Sequence, residues 1–143
     1  MDLTDSSIEL HQNHSRVNWQ ELERLFERTN LSGRKGDKLR RAFLNSPVVC
    51  YAHDGARLVG AARAITDGEY HAFVYDVVVD PSYQGRGLGT KIVQSLLDRL
   101  PVWRTMLVAA PDVQPFYARV GFAPYPDVMA RLDRTWLFDP PDL

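Results

Sequence analysis

The chain has 143 residues, of which 45% are hydrophobic and 24% are charged. This balance is ordinary for a soluble globular protein and excludes disordered and fibrous classes, and a chain of this length has enough surface to bury for one core, so we expect a single domain over residues 1–143. The formal net charge of −1 provides no overall basic field, which predicts no nucleic-acid partner.

Cysteine content and hydropathy bear on the compartment. Cys50 is the only cysteine, so the chain can form no internal disulfide, and we expect this thiol to fill the core. No apolar run approaches the roughly twenty residues that cross a bilayer, and the first ten residues lack the pattern of an export signal. We therefore expect a cytoplasmic protein with no membrane contact. No spacing of His and Cys residues predicts a metal site.

The first third of the chain is predicted to hold a short edge strand and two helices. Residues 8–10 alternate between apolar and polar, as in an edge strand. Asn18 and Asp37 have the positions of helix caps, and apolar residues recur at helical spacing after each. A basic cluster follows the first helix, and we interpret it as a solvated face rather than a site for an acidic acceptor. Its members are Arg34, Lys35, Lys38, Arg40 and Arg41.

Three strands are predicted next, over residues 48–52, 57–65 and 70–79, joined by glycine-containing turns as in an antiparallel meander. Gly60, inside the second strand, indicates a bulge or a close approach of another element. The third strand ends in Val77, Val78 and Val79, and Pro81 stops it because proline has no N–H for a ladder.

A glycine-rich loop follows the third strand and leads into a helix predicted to end near residue 100. Gly85, Gly87 and Gly89 allow unusual backbone dihedrals and close approach to a ligand. The free N–H groups at a helix start, together with the charge of Arg86, predict a site for an anion such as a phosphate. A Walker loop is excluded because Gly89 is not followed by Lys and then Ser or Thr, and the glycine spacing also fits a dinucleotide fingerprint poorly.

The last third is predicted to hold a strand over residues 105–110, parallel to the third strand because a helix crosses between them. Pro115 suits the first turn of a short helix that Gly121 closes. A closing pair of strands is predicted over residues 128–132 and 135–138.

Two segments resemble the GNAT superfamily of N-acetyltransferases. Gln84, Gly87 and Gly89, preceded by the run Val-Val-Val-Asp-Pro-Ser-Tyr, resemble its acyl-CoA-binding motif. The segment 116–122, Phe-Tyr-Ala-Arg-Val-Gly-Phe, is similar to its Phe-Tyr-x-x-x-Gly-Phe segment. The resemblance covers about residues 22–138. It implies an α/β fold with a mixed, mainly antiparallel central sheet flanked by helices, and acetyl-CoA as co-substrate.

The resemblance also assigns residues to acetyl-CoA. The backbone of Val77, Val78 and Val79 is expected to pair with the pantetheine arm, which inserts where two parallel strands splay apart. Tyr117 is expected to be the general acid that protonates the departing thiolate, a task that suits a phenol. The pyrophosphate is expected on the loop formed by Gln84, Gly85, Arg86, Gly87, Leu88, Gly89 and Thr90.

The group that takes the proton of the acceptor amine stays open at this point. Asp76 is one candidate, because a carboxylate in an apolar strand is costly unless it is paired or used. His71, Glu69 and a chain of waters are alternatives. Because side chains alternate along a strand, we expect His71, Phe73 and Tyr75 on the face opposite Asp76.

We therefore expect an acetyl-CoA-dependent N-acetyltransferase that transfers acetyl directly to a primary amine, without a metal. Asp76 to Gly85 resemble a subgroup of small bacterial and plastid members, some of which acetylate arylalkylamines or protein amines. The expected acceptor is a small arylalkylamine. The alternatives are a protein lysine or N-terminus, or an acyl-CoA-binding module without turnover. The closing strands have edges that a second copy could pair with, which allows a homodimer.

Overall fold

The computed structural model describes residues 7–133. These residues divide into two compact units, with the boundary between Leu107 and Val108, and each is described by itself. The elements of the first unit are β1 (Ile8–His11), α1 (Trp19–Glu27), α2 (Gly36–Leu44), β2 (Val48–Asp54), β3 (Arg57–Thr66), β4 (His71–Val79), a 3-10 turn (Pro81–Tyr83), α3 (Leu88–Leu97) and β5 (Arg104–Met106). The second unit contains α4 (Gln114–Arg119).

The five strands form one sheet in the order β1-β2-β3-β4-β5. Neighbours are antiparallel except β4 and β5, which are parallel because α3 lies between them in the chain. The predicted α/β class and mainly antiparallel sheet are confirmed, as are the three-strand meander and the edge strand at the start of the chain.

Each face of the sheet carries its own apolar cluster. On one face, α1 and α2 bury side chains such as Leu22, Phe26 and Phe43 against the sheet. On the other face, α3 buries Leu88, Ile92 and Leu96. Each such side chain contributes about 1.5–3 kcal/mol when it leaves water, so the two clusters fix β3 and β4 between two layers of helix.

The predicted core role of Cys50 and the predicted bulge and close approach at Gly60 are confirmed. Cys50 is fully buried in the cluster beneath α3, and burial raises the pKa of its thiol. The register of β2 and β3 shifts beside Gly60. A Cβ on Gly60 would lie 2.5 Å from Cδ1 of Ile92, so the glycine lets α3 approach the sheet.

The two N-terminal helices begin almost where the sequence predicts. Asn18 caps α1, and its side-chain oxygen accepts a hydrogen bond from the Glu21 backbone N–H at 3.1 Å. The predicted cap of α2 is wrong by two residues, because the helix already begins at Gly36 and its N-cap is Lys35. Asp37 lies in the first turn instead, where a negative charge still suits the helix dipole.

In the last third, the predicted strand parallel to β4 is confirmed but is shorter than predicted, and the first of the two predicted closing strands is wrong. The strand expected over residues 105–110 ends at Met106, because its pairing with β4 stops at the Phe73–Met106 pair and a strand needs a ladder partner. Residues 128–132 form no strand, and residues 135–138 lie outside the described residues. The homodimer, which was predicted from these strands, stays a prediction.

Within residues 7–133, no helix is long and apolar enough to span a membrane. The same residues contain no group of three or more His, Cys, Asp or Glu side chains arranged around a common point as metal ligands would be.

Candidate functional site

The central strand β4 is interrupted by a bulge at Asp76. Gly60 and Ala61 of β3 pair with Val79 and Val78, but Arg63 pairs with Tyr75, so β4 carries one extra residue. Asp76 has a φ of +57° and is the one non-glycine residue with positive φ among residues 7–133. Aspartate tolerates this left-handed conformation better than most residues, and the bulge changes which face each later side chain occupies.

Both carboxylate oxygens of Asp76 are engaged by arginine. Oδ1 accepts a hydrogen bond from Nε of Arg34 at 3.1 Å, and Oδ2 accepts one from Nε of Arg63 at 2.7 Å. The Asp76 side chain is 2% exposed, and those of Arg34 and Arg63 are 18% and 12% exposed. The charge is thus buried and paired on both sides, as buried carboxylates require.

The expectation that Tyr75 and Asp76 lie on opposite faces is wrong. The guanidinium of Arg63 lies 5.0 Å from the centre of the Tyr75 ring while its Nε bonds Asp76, so both side chains lie on the face that carries α2. Strict alternation fails here because the bulge turns the backbone at Asp76.

Aromatic side chains cover the sheet beside this bulge. The rings of Phe73 and Tyr75 are stacked with their centres 4.6 Å apart. Phe73 pairs across the strands with Ile65, whose side chain is 47% exposed. Since Ala72 and Val74 face α3, Phe73 faces the other side of the sheet, and an apolar strip remains partly open next to Asp76.

The edge of β4 that faces β5 is unpaired over its last six residues. Pairing with β5 involves His71, Ala72 and Phe73 and then stops, and no other described strand lies along this edge. The side chains of Val77 and Val79 pack towards α3, and that of Val78 packs towards α1 and α2. What these three valines offer a ligand is therefore their backbone.

The glycine loop adjoins the end of this edge. The Gln84 side-chain amide donates to the Val79 carbonyl at 3.1 Å, which ties the loop to the strand. Gly85 and Gly87 have φ of +77° and +82°, and Gly87 is the N-cap of α3 without a side-chain cap. A Cβ at either glycine would meet nothing within 4 Å, so these positions need glycine for conformation rather than for space.

The first turn of α3 supplies the donors of this loop. The first backbone hydrogen bond of the helix runs from the Lys91 N–H to the Gly87 carbonyl. The N–H groups of Leu88, Gly89 and Thr90 therefore have no acceptor within the helix. The Leu88 side chain is buried and fixes the helix start, whereas Arg86 is exposed. Free N–H groups, the positive end of a helix and an arginine together suit a phosphate.

A polar network holds the turn that precedes the loop. Asp80 is 3% exposed, and its carboxylate accepts hydrogen bonds from Arg28 at 2.9 Å, from Arg57 at 3.1 Å and from both the backbone N–H and the hydroxyl of Ser82. Burial alone would raise the pKa of Asp80, but the bonds from Ser82 and Arg28 outweigh it and lower this pKa to about 2.

Tyr83 forms the second part of this network. Its hydroxyl donates to the carboxylate of Asp54, and this bond lowers the pKa of Asp54 and raises that of Tyr83. The guanidinium groups of Arg57 and Arg86 lie 5.5 Å and 5.3 Å from the centre of the Tyr83 ring, within the range of cation–π attraction. Arg86 thus belongs to an ordered cluster beside the loop.

Tyr117 lies in the second unit, on α4. Its ring contacts those of Phe116 and Phe122 edge to face, with centres 4.9 Å and 5.9 Å away, and its carbonyl accepts the Phe122 N–H at 3.1 Å. Gly121 allows this turn with a φ of +102°. Burial raises the pKa of the Tyr117 hydroxyl, so the phenol stays protonated at neutral pH.

The arginine partners of Asp76 and Asp80 were not predicted. Arg34 was assigned to a solvated basic face, yet it is largely buried and pairs with Asp76. The available signals were Asp76 and Arg63, two opposite charges within largely apolar strands. A sequence rich in arginine does not tell which arginine reaches a given carboxylate. Arg28 and Arg57 pair with Asp80 across sequence distances that no local pattern spans.

Solved structures and relatives of known sequence are similar to this chain over most of its length. The structure of a GNAT family acetyltransferase, SP0256 from Streptococcus pneumoniae TIGR4, aligns with a TM-score of 0.76 and 25% identity, over 89% of this chain and 98% of that one. An uncharacterized N-acetyltransferase, ycf52 of Porphyra purpurea, is 33% identical over 138 residues, which are 89% of this chain and 79% of that protein.

Two relatives have names that state an acceptor. Serotonin N-acetyltransferase 2, chloroplastic, of Oryza sativa subsp. japonica is 40% identical over 116 residues, which are 76% of this chain and 58% of that protein. Histone acetyltransferase TAP1 of Glycine max is 32% identical over 121 residues, which are 75% of this chain and 52% of that protein. The sequence profile of the acetyltransferase (GNAT) family matches residues 16–122. This match and the relatives show that the chain belongs to the GNAT family and is an N-acetyltransferase.

Proposed function

We propose that this N-acetyltransferase moves acetyl from acetyl-CoA directly to the primary amine of a small arylalkylamine. The observation that carries the proposal is the junction of the unpaired edge at Val77 to Val79 with the glycine loop that opens α3. An extended amide chain fits such an edge as an added strand would, and a pyrophosphate fits the loop at its end. Acetyl-CoA contains both groups.

Transfer needs one bond to form and one to break. The neutral amine attacks the thioester carbonyl carbon, so a C–N bond forms, the C–S bond breaks, and the ammonium proton passes to a base or water. Tyr117 is proposed to give its phenolic proton to the departing thiolate, after which solvent reprotonates it. Its raised pKa keeps the proton available at neutral pH. Holding the two reactants in line contributes much of the acceleration.

The acceptor class is argued from the open apolar strip beside Asp76. Stacked Phe73 and Tyr75, with the exposed edge of Ile65, offer aromatic and aliphatic contacts. They lie near the unpaired edge of β4 at Val77 to Val79, which we propose holds the thioester arm and call the thioester edge. An aryl ring can stack there while a short alkyl chain extends its amine towards the edge. The name of the rice relative, a serotonin N-acetyltransferase, agrees with an acceptor of this kind.

Phe73→Ala tests the acceptor site. Loss of one ring contact, worth about 0.5–1.5 kcal/mol, should raise KM for an arylalkylamine about three- to tenfold and leave acetyl-CoA affinity, measured by calorimetry, unchanged. Trp103→Ala is the matched control, because Trp103 is another aromatic residue of the first unit and is 69% exposed. An unchanged acceptor KM in Phe73→Ala would remove the strip as the acceptor site.

A further inference from the structure

We propose that Asp76 is a positioning residue, whose clamped carboxylate holds the β4 bulge and the segment between α1 and α2 beside the thioester edge. In this assignment the amine's proton leaves to water and not to Asp76. The inference rests on the proposed function for its effect on rate, but the clamp itself is a feature of the first unit and can be measured without any substrate.

The geometry leaves Asp76 poorly suited to take a proton. A general base must lie within hydrogen-bond reach of the amine or be linked to it by one water. The Asp76 side chain is 2% exposed, and each of its oxygens already accepts an N–H from a guanidinium, at 3.1 Å from Arg34 and 2.7 Å from Arg63. Protonation would also remove the negative charge that these two largely buried guanidinium groups share at Asp76.

Arg63 connects the clamp to α2. Its Nη1 donates to the Ser46 hydroxyl oxygen at 3.3 Å, and that hydroxyl donates to the Ala42 carbonyl at 2.7 Å. Its guanidinium also lies 6.0 Å from the centre of the Phe43 ring. The end of α2 and the Tyr75 ring therefore fix the orientation of Arg63, independently of its bond to Asp76. Such contacts keep a group that supports a functional site in place.

Arg34 connects the clamp to the segment between α1 and α2. Its backbone N–H donates to the Leu31 carbonyl at 3.0 Å, which closes a turn, and its side chain reaches the bulge of β4. This hydrogen bond joins that turn to the sheet. Loss of the Asp76 charge should therefore release residues 31–35 and relax the strained backbone at Asp76.

Asp76→Asn and Arg34→Gln test the assignment by activity. Asparagine tolerates the left-handed conformation at this position, so the variant removes the charge with little backbone cost. We expect kcat/KM to fall about 10- to 100-fold in each variant, since a misplaced reactant costs rates of this order. The double variant should be no worse than either single one, because both remove the same contact.

The pH profile separates positioning from proton transfer. If Asp76 positions, the acid limb of the kcat/KM profile keeps its midpoint in Asp76→Asn, and Arg34→Lys recovers most of the activity that Arg34→Gln loses. If Asp76 is the base, the acid limb disappears in Asp76→Asn and Arg34→Gln stays within about twofold of wild type. That second pattern would overturn the proposal. Arg41→Gln is the matched control, an exposed arginine of α2 whose loss should change nothing.

Hydrogen exchange provides the readout that needs no substrate. Arg34→Gln should speed exchange of the amides of residues 31–35 about tenfold or more, because local opening becomes easier once the ion pair is gone. Equal exchange in Arg34→Gln and wild type would refute the clamp even if Asp76→Asn proves unfolded. A wild-type protein that transfers acetyl to no amine would refute the proposed function instead, while exchange still decides the clamp.

Discussion

Two carboxylates of the first unit, Asp76 and Asp80, are each held by a pair of arginines. One fixes the bulge inside β4, and the other fixes the turn between β4 and the glycine loop. Both therefore act on the geometry of the strand end where the unpaired edge of β4 meets the glycine loop, the site we propose for acetyl-CoA. A charge that is buried and paired on both sides is costly to disturb, because its partners are left unpaired.

Asp80→Asn should destabilise the protein in a pH-dependent manner. The folded pKa of about 2 lies below the ordinary value of roughly 3.9. The ionised carboxylate therefore stabilises the native state fully above about pH 4, and this contribution disappears as pH falls through about 2. Urea unfolding at pH 7 should show a loss of about 2 kcal/mol in Asp80→Asn relative to wild type.

The same comparison at low pH serves as its control. The difference between wild type and Asp80→Asn should shrink steadily between pH 4 and pH 2. A difference that stays constant over this range would mean that the carboxylate's charge is not what stabilises the turn.

Tyr117→Phe should lower kcat and leave acetyl-CoA binding unchanged. Removing the phenolic hydroxyl removes the proposed acid, and positioned acids contribute about 10²- to 10⁴-fold. Burial raises the pKa of Tyr117 above its usual value near 10. Ionisation of its hydroxyl should therefore not lower the wild-type kcat until pH exceeds about 10. Tyr125→Phe, in the same unit and 44% exposed, should behave as wild type. A Tyr117→Phe enzyme with normal kcat would exclude the role.

At the scale of elements, the proposed acetyl-CoA site is where β4, the glycine loop and α3 meet. The strand runs past its parallel partner, the loop bends through two glycines with positive φ, and the helix starts without a side-chain cap. Each feature leaves backbone polar groups without partners inside their own element. A ligand with an amide chain and a pyrophosphate would satisfy them together.

Gly87→Ala should weaken acetyl-CoA binding more than it weakens the fold. An alanine at a φ of +82° costs about 1–2 kcal/mol, and relief of that strain would turn the first N–H groups of α3 away from the pyrophosphate. Calorimetry should show an affinity loss of tenfold or more. Gly68→Ala is the matched control, with a φ of +76°, open space around it and a position in the turn between β3 and β4. Equal affinity in both variants would refute the loop as the phosphate site.

Elements with a clear local pattern could be predicted from the sequence, and those that depend on a partner could not. The spacing of apolar residues and Asn18 predicted α1, and the glycine turns predicted the meander. The length of β5 depends on how many residues of β4 pair with it. At the bulge, Asp76 pairs with Arg34 and Arg63, which are distant from it in sequence. The alternation of apolar residues typical of a strand or a helix therefore predicts neither the end of β5 nor the bulge.

At the scale of the whole molecule, residues 7–107 and 108–133 contribute different parts of the proposed chemistry. The first unit contains the unpaired edge of β4, the glycine loop before α3 and the open strip formed by Phe73, Tyr75 and Ile65. The second unit contains Tyr117. Family membership, acetyl transfer and the fold could be predicted from two short segments, one in each unit. The acceptor could not, because Phe73, Tyr75 and Ile65 form a strip only when strand pairing brings them together.

The most direct measurement is free thiol release from acetyl-CoA by the wild-type protein, with an arylalkylamine such as tryptamine or with a lysine peptide as acceptor. We predict saturable release with the arylalkylamine, one thiol per acetylated amine by mass spectrometry, and slow release with the peptide. Faster release with the peptide would contradict the acceptor class. Bound acetyl-CoA without thiol release on any amine would contradict the proposed transfer.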